Sequence, residues 1–303
     1  MAGKTFAIMG ATGQIGAVLT EQLLKKGNRV HAIGRDTHKL QNLKEKGAKS
    51  FKVDFEDSTA LANAFTDCDA VFSFLPPAVE TDDYGAYQDK VGEAIKQALI
   101  KAKVSFVVNL SSIGGQLKEG TGPIKGLHRH EKRLDSIPNL NVLHLRPGFF
   151  MENFSRSMSS IKNFGAISFP IRADLPIQMV ATRDIGFKAA EFFDRLDFKG
   201  HTIFDFIGPK SITMQEATKA IGGAIGKKDL KYHQLTFSEA EHGMLEAGMN
   251  RNTVNLMIEM YKAFNEEKIA TTQSITSEHK GKTTIEEFAA TTFAHAILSS
   301  ARR

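Results

Sequence analysis

Chemistry-bearing residues cluster first in Gly10-Ala11-Thr12-Gly13-Gln14-Ile15-Gly16, between an apolar run at Thr5–Met9 and a helical pattern beginning at Gln14. A helix N-terminus offers unbonded N–H groups and a partial positive charge, so this junction suits a phosphate. Gly13 lets the backbone approach a pyrophosphate, and Gly16 lets the helix sit against the strand. The spacing is GxxGxxG rather than GxGxxG, and the Lys-Ser/Thr ending of a P-loop is absent. A strand before, a helix after and further β/α units raise the motif above a bare glycine turn.

About 20 residues past such a loop, an acid normally receives the ribose 2′-hydroxyl of NAD. Here Gly34 and Arg35 stand at that place, followed by Asp36 and Lys39. A guanidinium grips a 2′-phosphate in a fork, so the expectation is NADP(H) in preference to NAD(H). Lys39, a turn further on, is the expected second phosphate contact. Asp36 keeps the opposite assignment open, and Arg35 can also be a solvent-facing loop residue. Asp54, after the third strand, is assigned to the adenine amino group or to a turn. Phe74, Leu75 and Pro76 are placed along the middle of the cofactor, where Pro76 and Pro77 stop the sheet ladder.

A second group is His128-Arg129-His130-Glu131-Lys132. His128 and Lys132 are i, i+4 and share a helix face. Of the four tyrosines, Tyr84, Tyr87, Tyr232 and Tyr261, none has Lys four residues later, so the Tyr-x-x-x-Lys pair of short-chain reductases is missing. His128 is the expected proton donor in its place, with Lys132 holding the ribose of the nicotinamide. The same pair also reads as a charged, exposed helix start. Farther on, Arg146-Pro147-Gly148 ends a strand and leads into Phe149, Phe150, Met151 and Asn153. Pro147 is assigned to the cofactor, and Phe149, Phe150 and Asn153 to a flat apolar substrate pocket. The alternative for the phenylalanines is a core staple.

The elements that must position these groups alternate. Apolar runs at Thr5–Met9, Arg29–Ile33, Ser50–Val53, Ala70–Leu75, Val104–Leu110 and Asn141–Leu145 are separated by helical patterns such as Gln14–Lys26 and Asp83–Ala102. That alternation predicts a doubly wound parallel α/β sheet of Rossmann type. The later part carries helical patterns at Asp184–Leu196, Ser211–Gly226, Ser238–Gly248, Asn252–Glu267 and Thr284–Ala301, with Thr283 and Glu286 spaced as a capping box. The expected division is a cofactor domain over 1–152, with 177–208 returning to it. Residues 153–176 and 209–303 form a smaller, mostly helical lobe at the sheet's carboxyl edge.

GATGQIG, HAIGRD, SSIGG, His128-x-x-x-Lys132, LRPGFFMENF and VATRDIG follow one another in this order. Together they resemble the NmrA-like family of atypical short-chain dehydrogenases/reductases. The resemblance runs through Asp184 and more weakly into the tail. It implies an NAD(P)-binding fold and divides on activity. Some members of that family reduce quinones, azo or triarylmethane dyes with NADPH, whereas others bind the cofactor and act as redox sensors through a protein partner. The expectation is an NADPH-dependent reductase of a small conjugated or aromatic acceptor. The alternative is a catalytically silent NADP(H)-binding regulator.

Composition bounds these readings. The 303 residues are 42% hydrophobic and 24% charged, an ordinary globular balance. A formal charge of +5 is spread without any block of like charges, which argues against nucleic acid as a partner. No apolar run approaches the roughly 20 residues of a membrane span, and the start does not read as a signal peptide. A single cysteine, Cys68, allows no internal disulfide and no Cys-based metal site, so a cytoplasmic setting without metal is expected.

Overall fold

The computed structural model describes residues 3–300. Seven strands form one parallel sheet: β1 (Thr5–Met9), β2 (Arg29–Gly34), β3 (Lys49–Lys52), β4 (Ala70–Phe74), β5 (Phe106–Leu110), β6 (Asn141–Pro147) and β7 (His201–Phe206). Their order is β7-β6-β5-β4-β1-β2-β3. It reverses between β1 and β4, the switch point at which open α/β sheets bind ligands beyond their carboxyl ends. The five residues of β1 are all buried because helices cover both faces of the sheet. α1 (Gln14–Lys25) packs on one face, joined by a later helix, α6 (Thr182–Arg195), with Phe6, Ile8, Leu19 and Phe193 between them. α3 (Ser58–Phe65), α4 (Tyr84–Lys101) and α5 (Ile124–Asp135) cover the other, around Ala7, Val71, Ile95 and Leu134. Gly186 lets α6 approach α1, since a Cβ there would lie 2.7 Å from Val18 Cβ.

The helix starts are set by local chemistry. Asp36 caps α2 (Thr37–Glu45), Asp57 caps α3 and Asp83 caps α4, each accepting backbone N–H bonds of the first turn. α1 has no such cap. Its N-cap is Gly13, which brings no side chain to that end.

The second lobe has its own core, in which Phe149, Phe154, Phe169 and Phe264 meet edge to face. Two small sheets run through it. In one, Ile177–Val180 lies between Ser211–Ile212 and Phe149–Phe150, and in the other Ala166–Phe169 pairs in parallel with Lys231–Gln234. The chain passes between the lobes repeatedly. It leaves the sheet after β6, returns through Ile177–Val180 into α6 and β7, and leaves again after Phe206. These crossings lie against one another. A Cβ on Gly148 would stand 2.1 Å from the Gln178 carbonyl oxygen, and one on Gly208 would stand 2.0 Å from that of Met179.

Three details differ from the sequence expectation. Ser211–Ile212 is a strand, and helix α7 (Met214–Ala224) starts only after Thr213, which forms a capping box with Glu216. The cap of the last helix is Thr284, accepting from Glu287 N–H, because Thr283 is buried and bound to Asp184. That last helix is also not continuous, since Ala289–Phe293 is a π-turn. Ala301 lies outside the described residues.

Candidate active site

A cleft of about 470 Å³ opens at the switch point, above the carboxyl ends of β1, β4 and β5. One end of it is formed by the β1–α1 loop. Gly10 has φ +65°, and a Cβ there would fall 2.6 Å from the Phe74 ring, so only glycine lets that ring close over the loop. Gly13 N–H donates to the Gly10 carbonyl at 2.9 Å. The N–H groups of Gln14, Ile15 and Gly16 have no protein acceptor among the described residues, and all three residues line the cleft. Backbone donors, a helix N-terminus and a glycine cradle that a Cβ would fill fit a dinucleotide pyrophosphate.

Beyond the loop, the structure runs toward β2. The Arg35 guanidinium stands 5.9 Å from the Phe55 ring centroid, and Phe55 meets Phe74 edge to face. Thr12 turns its hydroxyl toward Gly34, where a Cβ would lie 3.3 Å from it. Asp36 and Lys39 are occupied locally. Asp36 Oδ1 accepts the Lys39 backbone N–H at 3.1 Å, and Lys39 Nζ sits 3.8 Å from Asp36 Oδ2. Asp54 Oδ1 accepts the Glu56 N–H at 3.1 Å, closing the turn after β3.

Phe74 and Leu75 line the middle of the cleft, with Pro77 rather than Pro76 beside them. At the far end stand Ser111 and Ser112 after β5, Leu127 of α5, Pro147, Phe150 and Thr182 of α6. No lining residue is ionisable, and none of the four tyrosines is among them. Behind the wall lie two carboxyl groups. Glu131, 2% exposed, accepts the Ser111 hydroxyl at 2.5 Å and two bonds from Arg146, Nε at 2.8 Å and Nη2 at 2.5 Å. Glu152 accepts the Thr182 hydroxyl at 2.6 Å and the Thr182 N–H at 3.0 and 3.1 Å. Burial raises the Glu152 pKa, and the Asp184 charge adds to the rise.

The expected His128–Lys132 pair does not reach this cleft. His128 is buried with Nδ1 2.8 Å from the Gly115 carbonyl oxygen, and Lys132 is 67% exposed, 3.4 Å from Asp135. The reason is the rotation of α5. Gly126 lies under Gln88 of α4, where a Cβ would come within 1.8 Å of Gln88 Oε1, and Leu134 is buried in the core. That packing turns Leu127 and Glu131, another i, i+4 pair, toward the cleft. Of the three expected substrate residues, Phe150 lines the cleft, Phe149 is buried in the second-lobe core against Phe154, Phe169 and Phe264, and Asn153 is not part of the lining.

Sequence reasoning assigned no role to Ser111, Ser112, Leu127, Glu131, Glu152 or Thr182. The start of a helix directly after an apolar strand, VATRDIG, was the available signal for Thr182. A wider groove of about 850 Å³ lies between α1 and α6; several of its charges are paired, as Lys25–Glu21, Arg183–Glu287 and Lys188–Glu191, and it holds no glycine-rich helix start. Among the described residues no cluster of His, Cys, Asp and Glu is suited to a metal, and no helix is long and apolar enough to cross a membrane.

Known proteins share this fold. An NAD(P)H azoreductase of Xenophilus azovorans is 24% identical over 256 residues, covering 84% of this chain and 85% of the relative. The NADPH complex of the Escherichia coli quinone oxidoreductase QOR2 superposes with a TM-score of 0.80 at 20% identity, over 95% and 99% of the two chains. NmrA, a negative transcriptional regulator solved with NAD, superposes with a TM-score of 0.76 at 16% identity, over 99% and 98%. The model of the NmrA-like family matches residues 2–289. Matched over nearly its whole length and folded as these structures are, the chain belongs to the NmrA-like family.

Proposed function

We propose that this protein is an NADPH-dependent reductase of a small conjugated or aromatic acceptor, quinone-like or azo. The observation that carries the reading is one continuous cleft, with a backbone phosphate cradle at one end and an apolar chamber at the other. Gly10, Gly13, Gln14, Ile15 and Gly16 would hold the pyrophosphate. Arg35 and Thr12 would take the 2′-phosphate, with Lys39 adding positive charge once it leaves Asp36. Asp36 is spent on capping α2, which removes the competing acid and supports NADP(H) over NAD(H). Phe74, Leu75 and Pro147 would line the cofactor's middle. The bound nicotinamide supplies a hydride.

The chain's own part is to exclude water and orient a flat ring. Leu127 and Phe150 offer apolar surface for that. Ser111 has its hydroxyl hydrogen committed to Glu131, so its free lone pairs accept from whatever lies in the cleft. The single thiol, Cys68, is pushed up to about 12 by burial and stands outside this chemistry.

The test is NADPH oxidation by pure protein against quinones, azo dyes and enals, with NADH run in parallel. Saturable oxidation with NADPH favoured supports the reading. A second reading, a cofactor sensor acting through a protein partner, is favoured by the absence of any ionisable side chain from the cleft lining. Tight NADPH binding without turnover across the panel would select it. A partner must then bind the two cofactor states with different affinity.

A further inference from the structure

We propose that Thr182 and Glu152 form a proton relay from the buried side of the cleft wall to the acceptor. The proposal rests on the reductase reading and adds the source of the proton that a carbonyl-type acceptor needs.

A quinone takes up a hydride and a proton to become a hydroquinone. The cleft lining contains no acid able to give that proton, since its polar side chains are Gln14, Ser111, Ser112 and Thr182. Two of these hydroxyls connect to carboxyl groups behind the wall. Ser111 leads to Glu131, which is committed to Arg146 by two hydrogen bonds, both partners being almost fully buried. Thr182 leads to Glu152, with which no cation is paired among the described residues. Glu152 is thus the carboxyl free to carry a proton, and burial moves its pKa upward. The charged group acting on it is Asp184, on the same helix as Thr182. Asp184 accepts the N–H and hydroxyl of Thr283, each at 2.7 Å, and lies 3.9 Å from Arg183 Nε.

The ionised and protonated states of Glu152 give Thr182 opposite roles. With a carboxylate at Glu152, the Thr182 hydroxyl donates away from the cleft, as observed at 2.6 Å. A protonated Glu152 donates to Thr182 Oγ1 and releases the Thr182 hydrogen toward the cleft. As the acceptor takes a hydride from the reduced nicotinamide, its oxygen takes the proton of Thr182 Oγ1. Thr182 regains a proton from Glu152, and Glu152 regains one from water after the product leaves. Throughout, the Thr182 N–H holds the carboxyl group in place.

The test compares two acceptors on the wild type, Glu152→Gln and Thr182→Val. A quinone needs hydride and proton, whereas a triarylmethyl cation needs only hydride. The expected result is that each variant lowers the ratio of quinone kcat to cation kcat by on the order of 100-fold, the scale of one general acid. Wild-type quinone kcat falls as pH rises past the elevated pKa of Glu152, and Glu152→Gln loses that limb. A readout independent of turnover is the infrared carboxyl band in wild-type minus Glu152→Gln difference spectra of the NADP⁺-saturated protein. It should show Glu152 protonated above the pH range of an ordinary glutamate. The proposal is overturned if both activities fall equally, if neither falls, if wild type reduces the cation alone, or if the band shows an ionised Glu152 throughout. Wild type reducing neither acceptor removes the reductase reading and the relay with it, an outcome told apart by the wild-type rates.

Discussion

Glu131 and Arg146 form an ion pair with 2% and 3% of their side-chain surface exposed, joined by bonds of 2.8 and 2.5 Å. Glu131→Ala removes the carboxylate and leaves a guanidinium buried beside β6, where Arg146 Nη1 already has no partner among the described residues. Breaking one side of a buried pair costs about 3–5 kcal/mol, mostly through the charge left behind. Against a total stability of about 5–15 kcal/mol, that is a large fraction. Glu131→Leu combined with Arg146→Met removes both charges, and such replacements are often neutral or stabilising by about 1–4 kcal/mol. In the cycle formed by Glu131→Leu, Arg146→Met and their combination, the coupling is therefore expected to exceed about 3 kcal/mol. Urea unfolding followed by far-UV circular dichroism suits the measurement, because the chain has no Trp to report by fluorescence. Additive single costs, or a Glu131→Ala cost below about 1 kcal/mol, would refute the reasoning that charge burial rather than shape governs this site.

Three further outcomes are expected. Gly10→Ala combines a left-handed φ with a Cβ 2.6 Å from the Phe74 ring, about 2–5 kcal/mol in all, so Tm should fall and NADPH affinity with it; an unchanged Tm contradicts the geometry. Arg35→Ala should weaken NADPH binding by about 10- to 100-fold, the worth of a charged hydrogen bond, while leaving NADH affinity nearly unaltered in a fluorescence titration. His130, whose pKa is lowered to about 3 by burial with help from Arg133 and His144, stays neutral in the folded chain and takes a proton when unfolded. Its folded pKa lies below its unfolded one, so stability is complete above about pH 6.5 and is lost toward pH 3 at up to about 1.4 kcal/mol per pH unit. His130→Phe should flatten that slope in unfolding curves taken between those limits.

The parts of this molecule legible in its sequence are those set by neighbouring residues. The phosphate loop could be read because glycine geometry, a strand and a helix start all lie within Thr5–Lys25. The alternation of apolar runs and helical patterns likewise specifies the parallel sheet. What could not be read was the rotation of a helix about its axis. His128 and Lys132 do share a face of α5, but so do Leu127 and Glu131. The choice between the pairs is made by Gln88 on another helix, 38 positions away from Gly126 in the chain. Phe149 and Phe150 posed the same problem on a strand, where adjacent residues point to opposite sides and only the partner strand decides which side is the cleft. Thr182 comes to the site from a segment that first leaves the sheet and then returns, a route no local pattern records.

The repeated passage of the chain between its lobes has a mechanical consequence. A two-lobed protein joined by one linker can close around its ligand like a jaw, because a few backbone torsions absorb the whole rotation. Here the crossings at Gly148, Gln178 and Gly208 lie side by side, and Gly148 N–H is bonded to the Phe206 carbonyl oxygen at 2.9 Å. Turning one lobe against the other would shear several strands at once and break those contacts together. The width of the opening is accordingly set by side chains such as Phe150 rather than by a single hinge between the lobes.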